Sequence, residues 1–399
     1  MRIKSFPFIL SVFILSASLL CSCSFFGSSF RSENSQESHY PVESSKGVDN
    51  FFESPLLHAE LNIKEIENYD VINAAWKDEN SIFFIAQNGP EDKNEDIVWD
   101  DYPVKVYHYD QSQKKLRKIY EYVSECFYPY LYIQVQDDGS VALKTVSGFF
   151  LLSGEDFSHV KEIKMPSNLY HVNYNLSYDN KKIAVAHYDT KILEVWDSES
   201  FDVLHSAQIT DSSYIQAPTW TTDSEFLLLF APKHEFVDVV YTYSLSEKEI
   251  KKFDFSQYLV EYDNEAFLAE AGHSVYRMDI SDMESGGVAM LFEKHDLQTN
   301  TSTFWTHEVP MMPYCKSISE KGYLVAHAYK SEHFIYIGDL DSKRIVTTES
   351  FSSGGAKYPP LWNRAQEKAI LLITAGNRGD VKETIWKSTI VDCKQVLEN

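Results

Sequence analysis

Residues 174–189 read "YNLSYDNKKIAVAHYD", and residues 192–209 read "ILEVWDSESFDVLHSAQI". In the first stretch an apolar approach ends at Leu176, a polar turn follows, and Ile183 to Ala186 resume the apolar run. The second runs through Val195 and Trp196 into a turn rich in Asp and Ser, then leaves as a more polar strand. Short alternating runs bounded by Asp, Asn and Ser are strand signals, so each stretch is a hairpin and the two together are four strands. A polar last strand suits a sheet edge, where one flank meets water.

The same unit recurs along the chain. Inner hairpins are "INAAWKDENSIFFIA" (72–86), "IQVQDDGSVALKTV" (133–146), "APTWTTDSEFLLLFA" (217–231), "LVEYDNEAFLAEA" (259–271), "SISEKGYLVAHAY" (317–329) and "YPPLWNRAQEKAILLITA" (358–375). Each is followed by an outer hairpin, beginning near Val104, Gly148, Val239, Ser274, Phe334 and Glu383 as it does at Ile192. The apolar residue before each inner turn is Trp76, Val135, Leu176, Trp220, Val260, Ile318 or Trp362; six intervals cover 286 residues, about 48 each, close to the blade length of a propeller. A four-stranded sheet cannot shield both faces alone, so such units stack around an axis. The expected fold is therefore all-β: a seven-bladed β-propeller of four-stranded antiparallel blades, with six or eight blades also compatible.

Composition agrees with this. The 399-residue chain is 44% hydrophobic and 14% aromatic, with 25 Tyr and 25 Phe, which suits a large β-rich core.

The chain opens differently. Arg2 and Lys4 precede an apolar run from Phe6 to Leu20, the layout of a signal peptide and shorter than the about 20 residues of a spanning helix. Leu20, Cys21, Ser22 and Cys23 resemble a bacterial lipobox, with Cys at its second position in place of the usual Ala or Ser. That resemblance implies cleavage before Cys23 and lipidation of its thiol, with an ordinary secreted protein cut nearby as the alternative. Two or three acyl chains, at about 0.8 kcal/mol per buried methylene, make a lasting anchor. Ser24 to about Asn50 is rich in Ser, Glu and Gly and reads as a flexible stalk. The expected organisation is 1–22 signal peptide, 23–50 lipidated Cys and disordered stalk, and 51–399 propeller. Its expected place is extracytoplasmic, held on the outer leaflet of the cell membrane or at the outer membrane.

Ser177, Asp179, Lys181 and Ile183, followed by Val195, Trp196 and Asp197, resemble the turn and closing dipeptide of WD40-like and TolB-like or YVTN-type bacterial propellers. The Gly-His dipeptide of eukaryotic WD40 repeats is absent. The resemblance implies architecture and not activity. Leu56 to Ile66, "LLHAELNIKEI", is expected to supply an outer strand for the last blade, closing the ring between the two chain ends.

On that architecture the loops between second and third strands share one face with the blade-to-blade loops. The longest of each are Gln87 to Pro103, carrying Trp99, and Lys294 to Pro313, carrying Trp305 and His307. Long loops on a rigid scaffold are where binding residues sit, and aromatic anchors are enriched in hot spots; each Trp capping its own loop is the simpler reading. His187 and His327 take equivalent positions facing the same surface, three blades apart, as solvated or hydrogen-bonded histidines. The candidate ligand-binding set is Trp99, Asp100, Asp101, Trp305, His307, His187 and His327. Asp96, Asp100 and Asp101 lack calcium-loop spacing, and Cys126, Cys315 and Cys393 lack zinc spacing; no metal or cofactor is expected.

The formal net charge is −23, which disfavours nucleic acid as a partner. No G-x-S-x-G, H-E-x-x-H, Walker or dinucleotide glycine pattern occurs,. Two readings follow: a noncatalytic recognition or scaffold module for an envelope protein, peptide or glycan, acting as a monomer, or an envelope hydrolase or lyase using carboxylates near the channel.

Overall fold

The computed structural model describes residues 43–45, 51–52, 70–78, 81–87, 102–110, 112–113, 115–124, 131–166, 172–209, 218–230, 239–254, 269–271, 274–282, 288–296, 299, 301–309, 311, 313–329, 333–348, 360–363, 365–375 and 385–398. Two short strands come first, β1 (Glu43–Ser45) and β2 (Phe51–Phe52). The first sheet is β3 (Asp70–Asp78), β4 (Ser81–Gln87), β5 (Tyr102–Asp110) and β6 (Lys115–Ser124). The second is β7 (Tyr132–Val135), β8 (Val141–Lys144), β9 (Gly148–Ser153) and β10 (His159–Lys164). The third is β11 (Val172–Leu176), β12 (Lys182–His187), β13 (Ile192–Asp197) and β14 (Val203–Gln208). The fourth is β15 (Thr219–Trp220), β16 (Phe226–Phe230), β17 (Val239–Ser244) and β18 (Glu249–Asp254).

The fifth sheet holds β19 (Ala269–Ala271), β20 (Ser274–Asp282), β21 (Val288–Asp296) and β22 (Thr301–Val309). The sixth holds β23 (Pro313–Ile318), β24 (Tyr323–Tyr329), β25 (His333–Asp339) and β26 (Arg344–Thr348). The seventh holds β27 (Leu361–Trp362), β28 (Lys368–Ala375) and β29 (Ile385–Asp392), followed by a helix, α1 (Cys393–Glu398). Consecutive strands pair antiparallel within every sheet. The sheets coincide with the repeats, and the fold is a β-propeller.

What holds it together is the packing of each sheet face on the next. Ile183 and Val185 of the third sheet pack with Ala142 and Phe149 of the second, while Ala184 and Ala186 on the other side pack with Trp220 and Tyr241 of the fourth. Side chains alternate between faces along a strand, so one strand serves two interfaces. Ile370 of the seventh sheet lies in one cluster with Ala74, Trp76 and Phe84 of the first, which joins the two ends of the array. Burying a Leu, Ile or Phe contributes about 1.5–3 kcal/mol. Tryptophans add directional links: Trp220 Nε1 donates to Asn175 O at 3.1 Å, from the fourth sheet to the third, and Trp362 Nε1 donates to Ser317 Oγ at 2.9 Å, from the seventh to the sixth.

Several expectations are corrected. The segment expected to be a long loop carrying Trp305 and His307 is the strand β22, which extends the fifth sheet beyond β21. Trp305 is 1% and His307 5% exposed, and the Trp305 ring stacks on Phe292 at 5.2 Å. The physical cause is alternation: Trp305, His307 and Val309 point inward between outward polar neighbours,. Glu43 to Ser45, placed in the stalk, pair in parallel with Trp305 to His307, and Phe51 and Phe52 pair with Thr347 and Thr348. The second half of the last outer hairpin is helical, because Cys393, Val396 and Leu397 recur at helical spacing and are buried together against the sixth and seventh sheets,.

His187 and His327 are not equivalent. The turn closed by Ser177 N–H to Lys182 O is one residue longer than that closed by Ser319 N–H to Tyr323 O. Leu176 therefore faces Ile183, whereas Ile318 faces Leu324, and Ala328 is the structural match of His187. A one-residue slip moves a side chain to the other face. His187 lies on the side of Val185, toward the second sheet, and His327 on the side of Val325, toward the seventh.

Candidate functional site

The surface expected to hold the site is not assembled by the described residues. Trp99, Asp96, Asp100 and Asp101 lie outside them, as do Leu56 to Ile66 and Cys23. Trp305, His307 and His327 are buried, His327 at 2% exposure, and burial holds the His307 imidazole below its ordinary pKa. Only His187 is partly open; its Nε2 lies 2.9 Å from Glu194 Oε2, which also accepts Trp196 Nε1–H at 3.0 Å. In the fifth sheet the Ser302 hydroxyl sits between Glu293 Oε1, at 2.6 Å, and His295 Nδ1, at 2.9 Å. Its proton goes to the carboxylate, so the imidazole does not activate it. Among the described residues no group of three or more His, Cys, Asp or Glu is arranged to hold a metal ion, and no helix is long and apolar enough to cross a membrane.

A different constellation forms at the opposite end of the propeller, where the first strand of each sheet turns into the second. These inner strands flank the axis: β27 lies against β3, β3 against β7 and β11 against β15. Their turns share one build. Gly139, Asn180, Ser224, Gly322 and Gln366 each close a turn in the left-handed region, at φ of 78°, 61°, 61°, 78° and 58°, donating N–H to Gln136, Ser177, Thr221, Ser319 and Asn363 carbonyls. In four of these turns the first residue carries a hydroxyl or amide that braces the loop: Ser177 Oγ and Thr221 Oγ1 donate to Asp179 and Asp223, while Ser319 Oγ and Asn363 Oδ1 accept backbone N–H groups,.

Hydrogen bonds between neighbouring turns link them into a collar. Asp137 N–H donates to Tyr178 O at 2.8 Å, joining the second and third sheets. Asp179 N–H reaches Ser224 Oγ at 3.2 Å, joining the third and fourth. Thr222 N–H donates to Glu320 Oε1 at 3.1 Å and its hydroxyl to Oε2 at 2.6 Å. Glu320 N–H in turn donates to Gln366 Oε1 at 3.3 Å, reaching the seventh sheet. Thr222 and Glu320 belong to the fourth and sixth sheets, which are not consecutive in the chain.

The phenol of Tyr178 belongs to this constellation, while that of Tyr132 starts from the end of β7 away from its turn. The Tyr178 hydroxyl is held well above its ordinary pKa, first by burial and then by the nearby Tyr132 and Glu320 groups. Burial pushes Tyr132 up to about 12. Tyr132 nonetheless shows 37% of its surface to solvent. Burial also raises the Glu320 carboxyl, against the opposing pull of the Thr222 hydrogen bonds and with help from the Asp223 charge. At that same end, Lys144 of β8 is the cross-strand partner of Tyr132. Its ammonium lies 5.0 Å from the centre of the Tyr174 ring, and burial pushes it down to about 8.

Chemically, this is an arrangement for holding. Both Glu320 oxygens accept from Thr222, and Asp223 is tied to its own turn through Thr221 and Glu225 N–H, so the two carboxylates are not poised as an acid and base pair. Sequence reasoning passed over these residues because Tyr178, Thr222 and Glu320 look like ordinary turn residues; the available signal was their shared second position in repeated turns.

No protein-family model matches the chain, and no curated protein matches its sequence. Solved structures similar to it include the Pan2 WD40 domain of Neurospora crassa, 10% identical over 82% of this chain and 90% of that one, with a TM-score of 0.47. The WD40 repeats of RRP9 are 9% identical, with 81% and 94% covered and a TM-score of 0.47. A virginiamycin B lyase from Staphylococcus aureus is 10% identical, with 84% and 98% covered and a TM-score of 0.46. At this level the likeness concerns the β-propeller architecture alone, which is the architecture this chain has.

Proposed function

We propose that this chain is an extracytoplasmic lipoprotein, tethered through Cys23 to a bacterial membrane, whose propeller is a noncatalytic recognition module for an envelope protein or peptide. The tether rests on the basic start, the apolar run and the Leu20 to Cys23 lipobox. Recognition rests on one observation above the others: the collar of turns from separate sheets, braced through Thr222 and Glu320, holds polar and aromatic groups rigidly at a solvent-reached axial end. Preorganised groups of that kind favour binding because little freedom is lost when a partner arrives.

The tether is tested by expressing the chain with its leader in a bacterial host. The Cys23→Ala variant is expected to move from the membrane fraction to the soluble fraction and to lose incorporation of labelled fatty acid. Unchanged partition and labelling would refute the lipid anchor.

A further inference from the structure

The outer edges of the sheets are guarded in different ways. An open strand edge invites pairing with another chain unless charge, a bulge or a cover blunts it. The last strands β6, β10 and β18 each carry two or more lysines or arginines, among them Lys118, Lys161 and Lys251. β14 has no Lys, Arg, Asp or Glu, but a bulge interrupts its pairing opposite Val195 and Trp196,. β22 has no lysine or arginine, and β26 has only Arg344, at its first position. These two weakly guarded edges are the ones that are covered. β1 pairs with Trp305 to His307 of β22, and β2 with Thr347 and Thr348 of β26, both in parallel. Among the described residues they are the strands added beyond a fourth, and chain order follows sheet order, the fifth and then the sixth.

From these observations we infer that β1 and β2 are a strap that moves the attachment of the membrane tether from the inner strand β3 to the rim of the fifth and sixth sheets. The propeller is then held rim-first, with that rim toward the membrane and neither axial end against it. This inference rests on the lipid-anchor reading and adds an orientation to it. Cys23 lies 20 positions before Glu43 and 47 before Asp70, where β3 begins. A Ser-rich coil of 20 residues spans about 25 Å root-mean-square, and one of 47 residues about 38 Å. Without the strap the longer chain would run from the lipid to a strand that flanks the axis. With it, the shorter chain ends on an outermost edge, so that edge stays nearer the lipid than the opposite rim does.

Two measurements test it. Hydrogen exchange on the soluble Cys23→Ala chain judges the strap without a membrane. A variant carrying Glu43→Pro, Ser44→Pro, Ser45→Pro, Phe51→Pro and Phe52→Pro leaves no N–H in β1 or β2 to face its partner strand. Amides among 305–307 and 347–348 are expected to exchange about five- to ten-fold faster in it, the worth of one backbone hydrogen bond. Equal exchange in the two chains would overturn the strap. Orientation is read on the lipidated full chain in phosphatidylcholine vesicles that carry an acceptor dye on their headgroups. A fluorescent amino acid is placed at Ser342 or, in a separate chain, at Glu155. Both positions are exposed and lie in equivalent turns, between the third and fourth strands of the sixth and second sheets. Stronger energy transfer from Ser342 than from Glu155 is expected, and the five prolines are expected to shrink the difference. Equal transfer, stronger transfer from Glu155, or a difference that the prolines leave unchanged would overturn the inference. A chain that does not associate with the vesicles refutes the lipid anchor and the orientation with it, whereas the exchange result judges the strap by itself.

Discussion

The Thr222 hydroxyl donates to the Glu320 carboxylate at 2.6 Å across 98 positions of sequence. The two residues sit in turns of the fourth and sixth sheets, so their contact reports on the closure of the ring around its axis. A glutamate kept there is held against its own preference, since burial raises its carboxyl above the ordinary value.

That direction sets a pH dependence. A carboxyl raised on folding binds its proton more tightly in the folded state, so its contribution favours folding at low pH and is lost as pH rises past the unfolded value toward the folded one. The unfolding free energy of Glu320→Gln relative to the parent is therefore expected to rise with pH across that window. Urea midpoints of both chains from acid to neutral pH would show it; a constant difference would contradict the burial of Glu320.

Lys144 gives the converse case. Its amine is pushed down to about 8 from 10.5, so the charged form is disfavoured in the folded state. Stability is expected to improve as pH rises from about 8 through the unfolded value near 10.5,. Lys144→Met should be more stable than the parent at neutral pH, the advantage shrinking in that alkaline window. Thermal midpoints at neutral and alkaline pH measure it, and an advantage that does not vary with pH would count against the depressed amine.

Gly148 stands where β9 meets β10, at φ 149°, and a Cβ there would come 2.0 Å from Ile163 O. Gly148→Ala is expected to cost about 2 kcal/mol or more, because both the backbone and the carbonyl must shift. Denaturant unfolding with a loss under half a kilocalorie would contradict the close approach of these strands.

Trp305→Ala is expected to cost about 3–5 kcal/mol, as for other fully buried aromatics, since the ring fills the core between the fifth and sixth sheets with Phe292 and Ile318. A nearly unchanged thermal midpoint would return Trp305 to an exposed role.

The repeat was legible because each hairpin is local. Trp76, Trp220 and Trp362 mark the inner strands, and turns such as Ser177 to Asn180 announce themselves through residues that favour tight backbone geometry. What escaped depended on counting and on distance. The alternation from Thr301 to Val309 is strand-like, yet its length and place between two repeats suggested a loop. One extra residue in the turn after Leu176 was enough to put His187 and His327 on opposite faces, though both follow the same Val-Ala or Ala-His run by eye. The collar is non-local: nothing near Glu320 in sequence announces Thr222, because only the closed ring brings them together.

The most direct test of that closure is a double-mutant cycle. Thr222→Val and Glu320→Gln, singly and combined, are compared by urea unfolding at neutral pH. A coupling energy of about 1 kcal/mol or more is expected for two hydrogen bonds to one carboxylate. Effects that simply add would mean that the two turns do not meet at the axis.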